Sequence, residues 1–235
     1  MDFERNPFWN GLGGYQMKVW EGLYLPDNEQ HLIDWMKAAG KYVDGKMTYQ
    51  YNKYNECLRV IPKRRTAIDV GGNLGLWSRV MCLDFKNVEA FEPVSEYCEY
   101  FKLNAPKATL HQVALSDTRR EVTMACATDG SCGDTAPMVN RRKEKALQTV
   151  ETMLLDDFTF IDVDFIKVDC EGYELHVLRG AEQTIIHNKP TIIVEQKPGK
   201  GKKYGYADDA AVKYLQSLGM RVYTVISGDY IMVWE

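Results

Sequence analysis

From residue 66 onward, short apolar strand-like runs alternate with helical stretches, and the last two runs face each other across a tight turn. Few architectures accept that order. Strands are expected at Thr66–Val70, Asn87–Phe91, 109–115, 164–168 and 191–194. Helices are expected at 76–83, at 95–103 with Ser95 as N-cap, from Gly172 to about 187, and at 210–218 between Asp208 as cap and Gly219 as stop. Leu175, Leu178, Ala181, Ile185 and Ile186 supply the apolar face of the third of these. A strand that returns through a helix lies parallel to its predecessor, with helices packed on both faces of the sheet. Residues 221–226 and 230–234 flank Ser227-Gly228-Asp229, a hairpin signal. Glu121–Ala127 and 150–153 read as further extended segments, followed by a short turn or helix at 154–158. The expectation is a doubly wound, mostly parallel α/β sheet of seven strands that ends in an antiparallel β-hairpin.

The first 60 residues have a different texture. They are aromatic, with Phe8, Trp9, Trp20 and Trp35, and read as a mainly helical extension or cap. Asp27 with Gln30 forms a capping box for a helix that Gly40 would end after Ala39. A second helix at 49–58 carries Tyr49, Tyr51 and Tyr54 without a clean period. The division is therefore an extension over 1–60 and one α/β domain over 61–235.

The apolar fraction of 45% lets a chain of this length build its core without disulfides or structural metal. Cys57, Cys82, Cys98, Cys126, Cys132 and Cys170 include no C-x-x-C pair, which fits a reduced, cytoplasmic compartment. No secretory signal opens the chain, and no apolar run approaches the ~20 residues that span a bilayer. The net charge of −4 argues against bulk polyanion binding.

The sharpest local signal is Ile68-Asp69-Val70-Gly71-Gly72-Asn73-Leu74-Gly75, which leaves a strand and enters a helix. Glycine lets a backbone approach a ligand closely, and Asn tolerates the left-handed conformation. At the end of the next strand stands Glu92, an acidic group suited to accept hydrogen bonds from ribose hydroxyls. The dinucleotide pattern G-x-G-x-x-G fails, because Asn73 and Leu76 occupy its second and third glycine positions. No Lys-Ser/Thr follows the glycines, so the P-loop pattern fails as well.

These motifs carry a resemblance. Asp69-Val70-Gly71-Gly72-Asn73-Leu74-Gly75, Ala90-Phe91-Glu92-Pro93 and Val113-Ala114-Leu115-Ser116-Asp117 resemble successive motifs of the FkbM family of methyltransferases. So do Met153-Leu154-Leu155-Asp156-Asp157, Phe165-Ile166-Lys167-Val168-Asp169-Cys170-Glu171-Gly172-Tyr173-Glu174, Val177-Leu178-Arg179-Gly180-Ala181 and Pro190-Thr191-Ile192-Ile193-Val194-Glu195. The likeness covers 66–195, and Gly72, where the family often has Ala, is a mild departure. It implies the Rossmann-like fold of class I methyltransferases, whose parallel sheet ends in a hairpin, and S-adenosylmethionine as cofactor. By the same likeness Asp69, Gly71 and Asn73 would line the methionine and ribose side, with Gly72 and Gly75 in the same turn. Glu92 with Pro93 would hold the ribose, and Val113 with Ala114 would flank the adenine. The family usually O-methylates hydroxyls of sugars or other small molecules.

Asp169 and Glu171 lie just past one strand and Glu195 ends the next, which makes them the candidate catalytic carboxylates. Asp169 is grouped with the cofactor residues as well. Such carboxylates can polarise an acceptor hydroxyl, hold the cofactor's amino group, or bind a divalent cation such as magnesium, although no motif demands a metal. Glu171 and Glu174 equally suit the start of the following helix. Lys167 is expected to pair with a carboxylate, and His31, His111, His176 and His187 to be packing or surface residues. The basic, aromatic loop 197–206 suits closure over an anionic or sugar-containing acceptor, and 129–145 is a second lid candidate. An RNA ribose methyltransferase is the alternative, because Asp169, Glu195 and nearby lysines are similar to a Lys-Asp-Lys-Glu tetrad. The acidic charge weighs against nucleic acid. A non-catalytic binding module on the same fold is the other.

Overall fold

The structure, a computed structural model, describes residues 17–127, 132–134 and 144–235. The first elements are β1 (Met17–Trp20), β2 (Leu23–Pro26), α1 (His31–Ala39), β3 (Lys41–Val43), β4 (Lys46–Thr48) and α2 (Tyr51–Leu58). Next come β5 (Thr66–Val70), α3 (Leu76–Asp84), β6 (Asn87–Phe91), α4 (Ser95–Asn104) and β7 (Thr109–His111). A strand-rich stretch follows with β8 (Ala114–Leu115), β9 (Glu121–Ala127), β10 (Cys132–Asp134) and β11 (Glu144–Met153). The chain closes with β12 (Val163–Val168), α5 (Glu174–Arg179), α6 (Glu182–Asn188), β13 (Thr191–Glu195), α7 (Ala210–Ser217), β14 (Met220–Ile226) and β15 (Asp229–Trp234).

The main sheet has seven strands in the order β14-β15-β13-β12-β5-β6-β7. The pairs β12–β13, β12–β5, β5–β6 and β6–β7 are parallel. The hairpin β14–β15 joins antiparallel along β13. This is the doubly wound, hairpin-ended α/β fold expected from the alternation, and the Rossmann-like arrangement that the resemblance implies. The central strand β5 is buried along its whole length, as a strand covered on both faces must be. One core cluster gathers Ile68, Val70, Ile166, Val168, Ile192 and Val194 with α5, α6 and α7. A second packs Trp77, Val80, Met81 and Phe165 against Tyr54 and Cys57 of α2.

Several local details depart from expectation. The segment after Gly172 forms two helices rather than one, broken between Arg179 and Glu182. Gly180 presses against the chain, where a Cβ would stand 1.9 Å from Ser116 O, so close packing sets the break. Ser95 is the first residue of α4 rather than its cap. Asp208 instead accepts from Gly199 N–H at 2.8 Å, and the start of α7 is capped by Gln196, whose Oε1 accepts from Ala211 N–H at 2.9 Å and Val212 N–H at 3.3 Å. Asp27 does not cap α1, where Glu29 Oε1 accepts the Leu32 N–H at 2.8 Å. The extended segments at 121–127 and 150–153 join a separate four-stranded sheet, β10-β9-β11-β8.

Both helices expected in the extension are present, accompanied by two short hairpins, β1–β2 and β3–β4. Each hairpin turns on a two-residue loop with positive φ at both positions, Glu21-Gly22 and Asp44-Gly45. Leu23, Leu25, Ile33 and Met36 pack on Leu74, Leu76 and Tyr100. Asn104 fastens the contact by accepting from Tyr24 N–H and donating to Tyr24 O and Leu74 O. The extension thus walls one side of the cleft described below. Phe8 and Trp9, and most of the candidate lid 129–145, lie outside the described residues. Among the described residues no helix is long and apolar enough to cross a membrane.

Candidate functional site

A cleft of about 880 Å³ opens at the carboxyl ends of β5, β6, β12 and β13. In an open parallel sheet this is where ligands bind. Gly71, Gly72, Asn73, Glu92, Pro93, Val113, Ala114, Asp169, Glu171 and Glu195 all line it. Asp69 and Gly75 do not.

Asp69 is wholly buried beneath the cleft, which corrects its expected place on the cofactor's surface. Its Oδ1 accepts from Lys167 Nζ at 2.9 Å and its Oδ2 from Ser78 Oγ at 2.7 Å. Lys167 also donates to Gly71 O at 3.0 Å, so a buried ion pair ties the end of β5 to the glycine turn. Burial disfavours the Lys167 ammonium, but the Asp69 and Asp169 carboxylates outweigh it and hold the group above its ordinary value.

The glycines of the turn serve chain packing first. Gly71, at φ +78°, is so close to the neighbouring strand end that a Cβ would stand 2.0 Å from Asp169 O. A Cβ on Gly72 or Gly75 would press the Phe101 ring of α4 at 3.0 and 3.1 Å. Gly75 therefore seats a helix rather than a ligand. Asn73 takes φ +47° and satisfies the Leu74 N–H with its own Oδ1, the local bond that makes Asn suited to this conformation.

Glu92 holds the turn from the other side. Its Oε2 accepts from Asn73 N–H at 2.8 Å and its Oε1 from Val94 N–H at 2.9 Å. Burial pushes its carboxyl up to about 7, against the pull of those two amides. Each oxygen keeps a further lone pair for a ligand hydroxyl.

At the opposite end, Asp169, Glu171 and Glu195 bring carboxylate oxygens within 4.8 Å of one another. Lys200 Nζ bridges Glu171 Oε2 and Glu195 Oε2 at 2.6 Å each, and Lys197 bonds Glu195 Oε1. Burial opposes ionisation of Glu195, but the two lysines outweigh it and hold its carboxyl below the usual range. Asp169 has no lysine hydrogen-bonded to it among the described residues. Burial and the neighbouring carboxylates push it up to about 6 against the pull of Lys167. Glu174, by contrast, is buried and turned inward, where its Oε1 accepts from the Cys170 and Gly172 amides and braces the turn that carries Glu171.

Other residues escaped the sequence reading. Tyr173 lines the cleft and its hydroxyl meets Ser116 Oγ at 2.9 Å. Its ring stacks on His176 at 4.3 Å. Of its two expected places His176 takes the packed one, with Nδ1 2.9 Å from Asp117 Oδ2 and Nε2 bonded to the Tyr206 hydroxyl. His111 is satisfied by Glu89 at 2.8 Å and stacks on Phe91, as a packing residue should. Gln50 accepts from Trp77 Nε1–H at 3.0 Å and sets a wall of the cleft beside Tyr49. Their partners are far away in the chain, so no local spacing announces them.

Over residues 69–222 the chain matches the family model for the methyltransferase FkbM domain. No curated protein is similar enough to match. Among solved structures, an FkbM methyltransferase from Methylobacillus flagellatus KT is 17% identical with a TM-score of 0.47, over 73% of this chain and 44% of that one. The chain thus spans less than half the length of that protein. A TehB-like SAM-dependent methyltransferase from Corynebacterium glutamicum is 11% identical with a TM-score of 0.42, over 77% and 85%. SMU.1697c from Streptococcus mutans, solved in complex with SAH, is 10% identical with a TM-score of 0.45, over 77% and 94%. On the family match, which spans well over half of its length, the chain belongs to the FkbM family of methyltransferases.

Proposed function

We propose that the protein transfers a methyl group from S-adenosylmethionine to a hydroxyl of a small, sugar-like acceptor, with Asp169 taking up the proton. The observation that carries this reading is the inequality among the strand-end carboxylates. Glu171 and Glu195 are engaged by lysines, while Asp169 is not. Of the three candidates, Asp169 is therefore the base, and the other two set the charge around it. A proton acceptor works best when its affinity lies near the working pH, and Asp169 is raised toward it.

The cleft suits the cofactor on the geometry of its donor end. The turn at Gly71–Asn73, the Glu92 carboxylate and the wall at Val113 and Ala114 offer, in that order, close backbone, a diol acceptor and a flank for a base. The cofactor supplies an already activated methyl carbon, so the protein's task is to align the acceptor and to hold a proton. Tyr49, Trp77, Tyr173 and Tyr204 give the cleft aromatic surfaces of the kind on which a sugar ring stacks. Lys197 and Lys200 are already neutralised by carboxylates, which favours a neutral acceptor over an anionic one.

Two variants test the division of labour. Glu92→Ala should weaken S-adenosylmethionine binding in calorimetric titration by about tenfold or more, the loss of a charged hydrogen-bond acceptor. Asp169→Asn should leave that binding within a few-fold and lower methyl transfer by roughly 10²–10⁴, the usual contribution of a general base. The reverse pattern would overturn the roles.

A further inference from the structure

After β13 the chain turns back into the cleft and places Lys200 between two of the three carboxylates. Its Nζ lies 2.6 Å from Glu171 Oε2 and 2.6 Å from Glu195 Oε2. The oxygens of Asp169, Glu171 and Glu195 stand within 4.8 Å of one another, the kind of convergence in which hard divalent cations are held. Here the position between Glu171 and Glu195 is filled by an ammonium that belongs to the chain itself.

The backbone keeps it there. Gly172, at φ +100°, runs directly against this segment, and a Cβ on it would stand 2.3 Å from Lys200 O. The turn Gly201–Tyr204 follows, and Tyr206 beyond it is bonded to His176, itself held by Asp117. Asp208 Oδ1 accepts from Gly199 N–H at 2.8 Å on the near side. The loop is therefore moored on both sides of Lys200.

We propose that the Lys200 ammonium is the resident cation of this carboxylate group, standing where a divalent ion would otherwise bind. With Lys197 and Lys200 in place the three carboxylates carry one net negative charge. A divalent ion approaching them meets two ammoniums and no Glu195 oxygen without a lysine on it. Removing Lys200 frees one oxygen on each glutamate and doubles the net negative charge.

Manganese(II) alone, followed by electron paramagnetic resonance in the absence of S-adenosylmethionine, reads this directly. Wild-type protein and Lys200→Arg should show no cleft-bound manganese at millimolar metal. Lys200→Met should bind at least about tenfold more tightly than wild type, since a like charge has gone and two oxygens are exposed. Adding Asp169→Asn to Lys200→Met should remove the gain. Gly172→Ala, which pushes on the Lys200 backbone without touching a charge, should move binding in the same direction as Lys200→Met.

Manganese binding by wild type that Asp169→Asn abolishes would overturn the proposal. So would a folded Lys200→Met, by circular dichroism, that binds no better than wild type. Lys200→Gln decides the same question if Lys200→Met does not fold. None of these outcomes depends on whether the protein binds S-adenosylmethionine, so failure of the methyl-transfer reading is separately visible.

Discussion

Replacing Lys167 with Met removes one half of the ion pair under the glycine turn. Lys167 is 5% exposed and Asp69 is fully buried, so water cannot take over the lost contact. Asp69 would keep only the Ser78 hydroxyl, and Gly71 O would lose its donor. Breaking a buried pair from one side typically costs about 3–5 kcal/mol, because a charge is left unpaired in a medium of low polarity. For a domain of this size each kcal/mol shifts the melting temperature by about 2–4 °C, so Lys167→Met should melt roughly 6–20 °C below wild type. Removing both charges is a different perturbation. Lys167→Met with Asp69→Leu replaces the pair with apolar groups, and such replacements are often close to neutral. Thermal and urea unfolding of wild type, both single variants and the double variant make a double-mutant cycle. The reasoning requires the double variant to be more stable than Lys167→Met alone. It would be refuted by a Lys167→Met that loses less than about 1 kcal/mol, or by a double variant at least as damaged as the single one.

The rate of methyl transfer should rise with pH through about 6 and then level, because Asp169 must be ionised to accept a proton. A pH profile unchanged by Asp169→Asn would contradict that assignment. Stability should run the other way over the same window. The folded state keeps on Asp169 a proton that the unfolded chain has released by about pH 4, so ionising it costs stability as the pH rises from there to about 6. Gly180→Ala should destabilise by about 1–3 kcal/mol in urea unfolding, since its Cβ would stand 1.9 Å from a backbone oxygen, and no loss would mean the Ser116 contact is soft. Glu174→Ala should cost about 1–3 kcal/mol by leaving the Cys170 and Gly172 amides without their acceptor, with Glu174→Gln much closer to wild type.

The sheet was legible because its signals are local and periodic. Thr66–Val70 and Thr191–Glu195 are apolar runs bounded by turn residues, and Ser227-Gly228-Asp229 announces the final hairpin. The extension was less legible: Asp44-Gly45 is itself a hairpin signal, but the aromatic residues around it mask any strand alternation. Gly71, Gly72, Asn73 and Glu92 line the cleft as the motif suggested, while Asp69 and Gly75 do not, for one reason. A motif shows which residues a fold requires, not whether each faces a ligand or the core. Asp69 turns inward because Lys167, on an adjacent strand, supplies its counter-charge, and that pairing exists only in the folded sheet. The carboxylate end was half readable. Asp169, Glu171 and Glu195 stand at strand ends as expected, but the lysines that separate their roles come from a loop whose course no spacing dictates. The partners of His176 were unreadable on the same ground, because Asp117 and Tyr206 reach it from distant parts of the chain.

The most direct test of a methyltransferase with its donor at the glycine turn is calorimetric titration of the folded protein with S-adenosylmethionine, wild type beside Glu92→Ala. Saturable one-to-one binding, lost or weakened by about tenfold or more in the variant, is the expected result. A well-folded wild-type protein that takes up no S-adenosylmethionine would contradict the central claim.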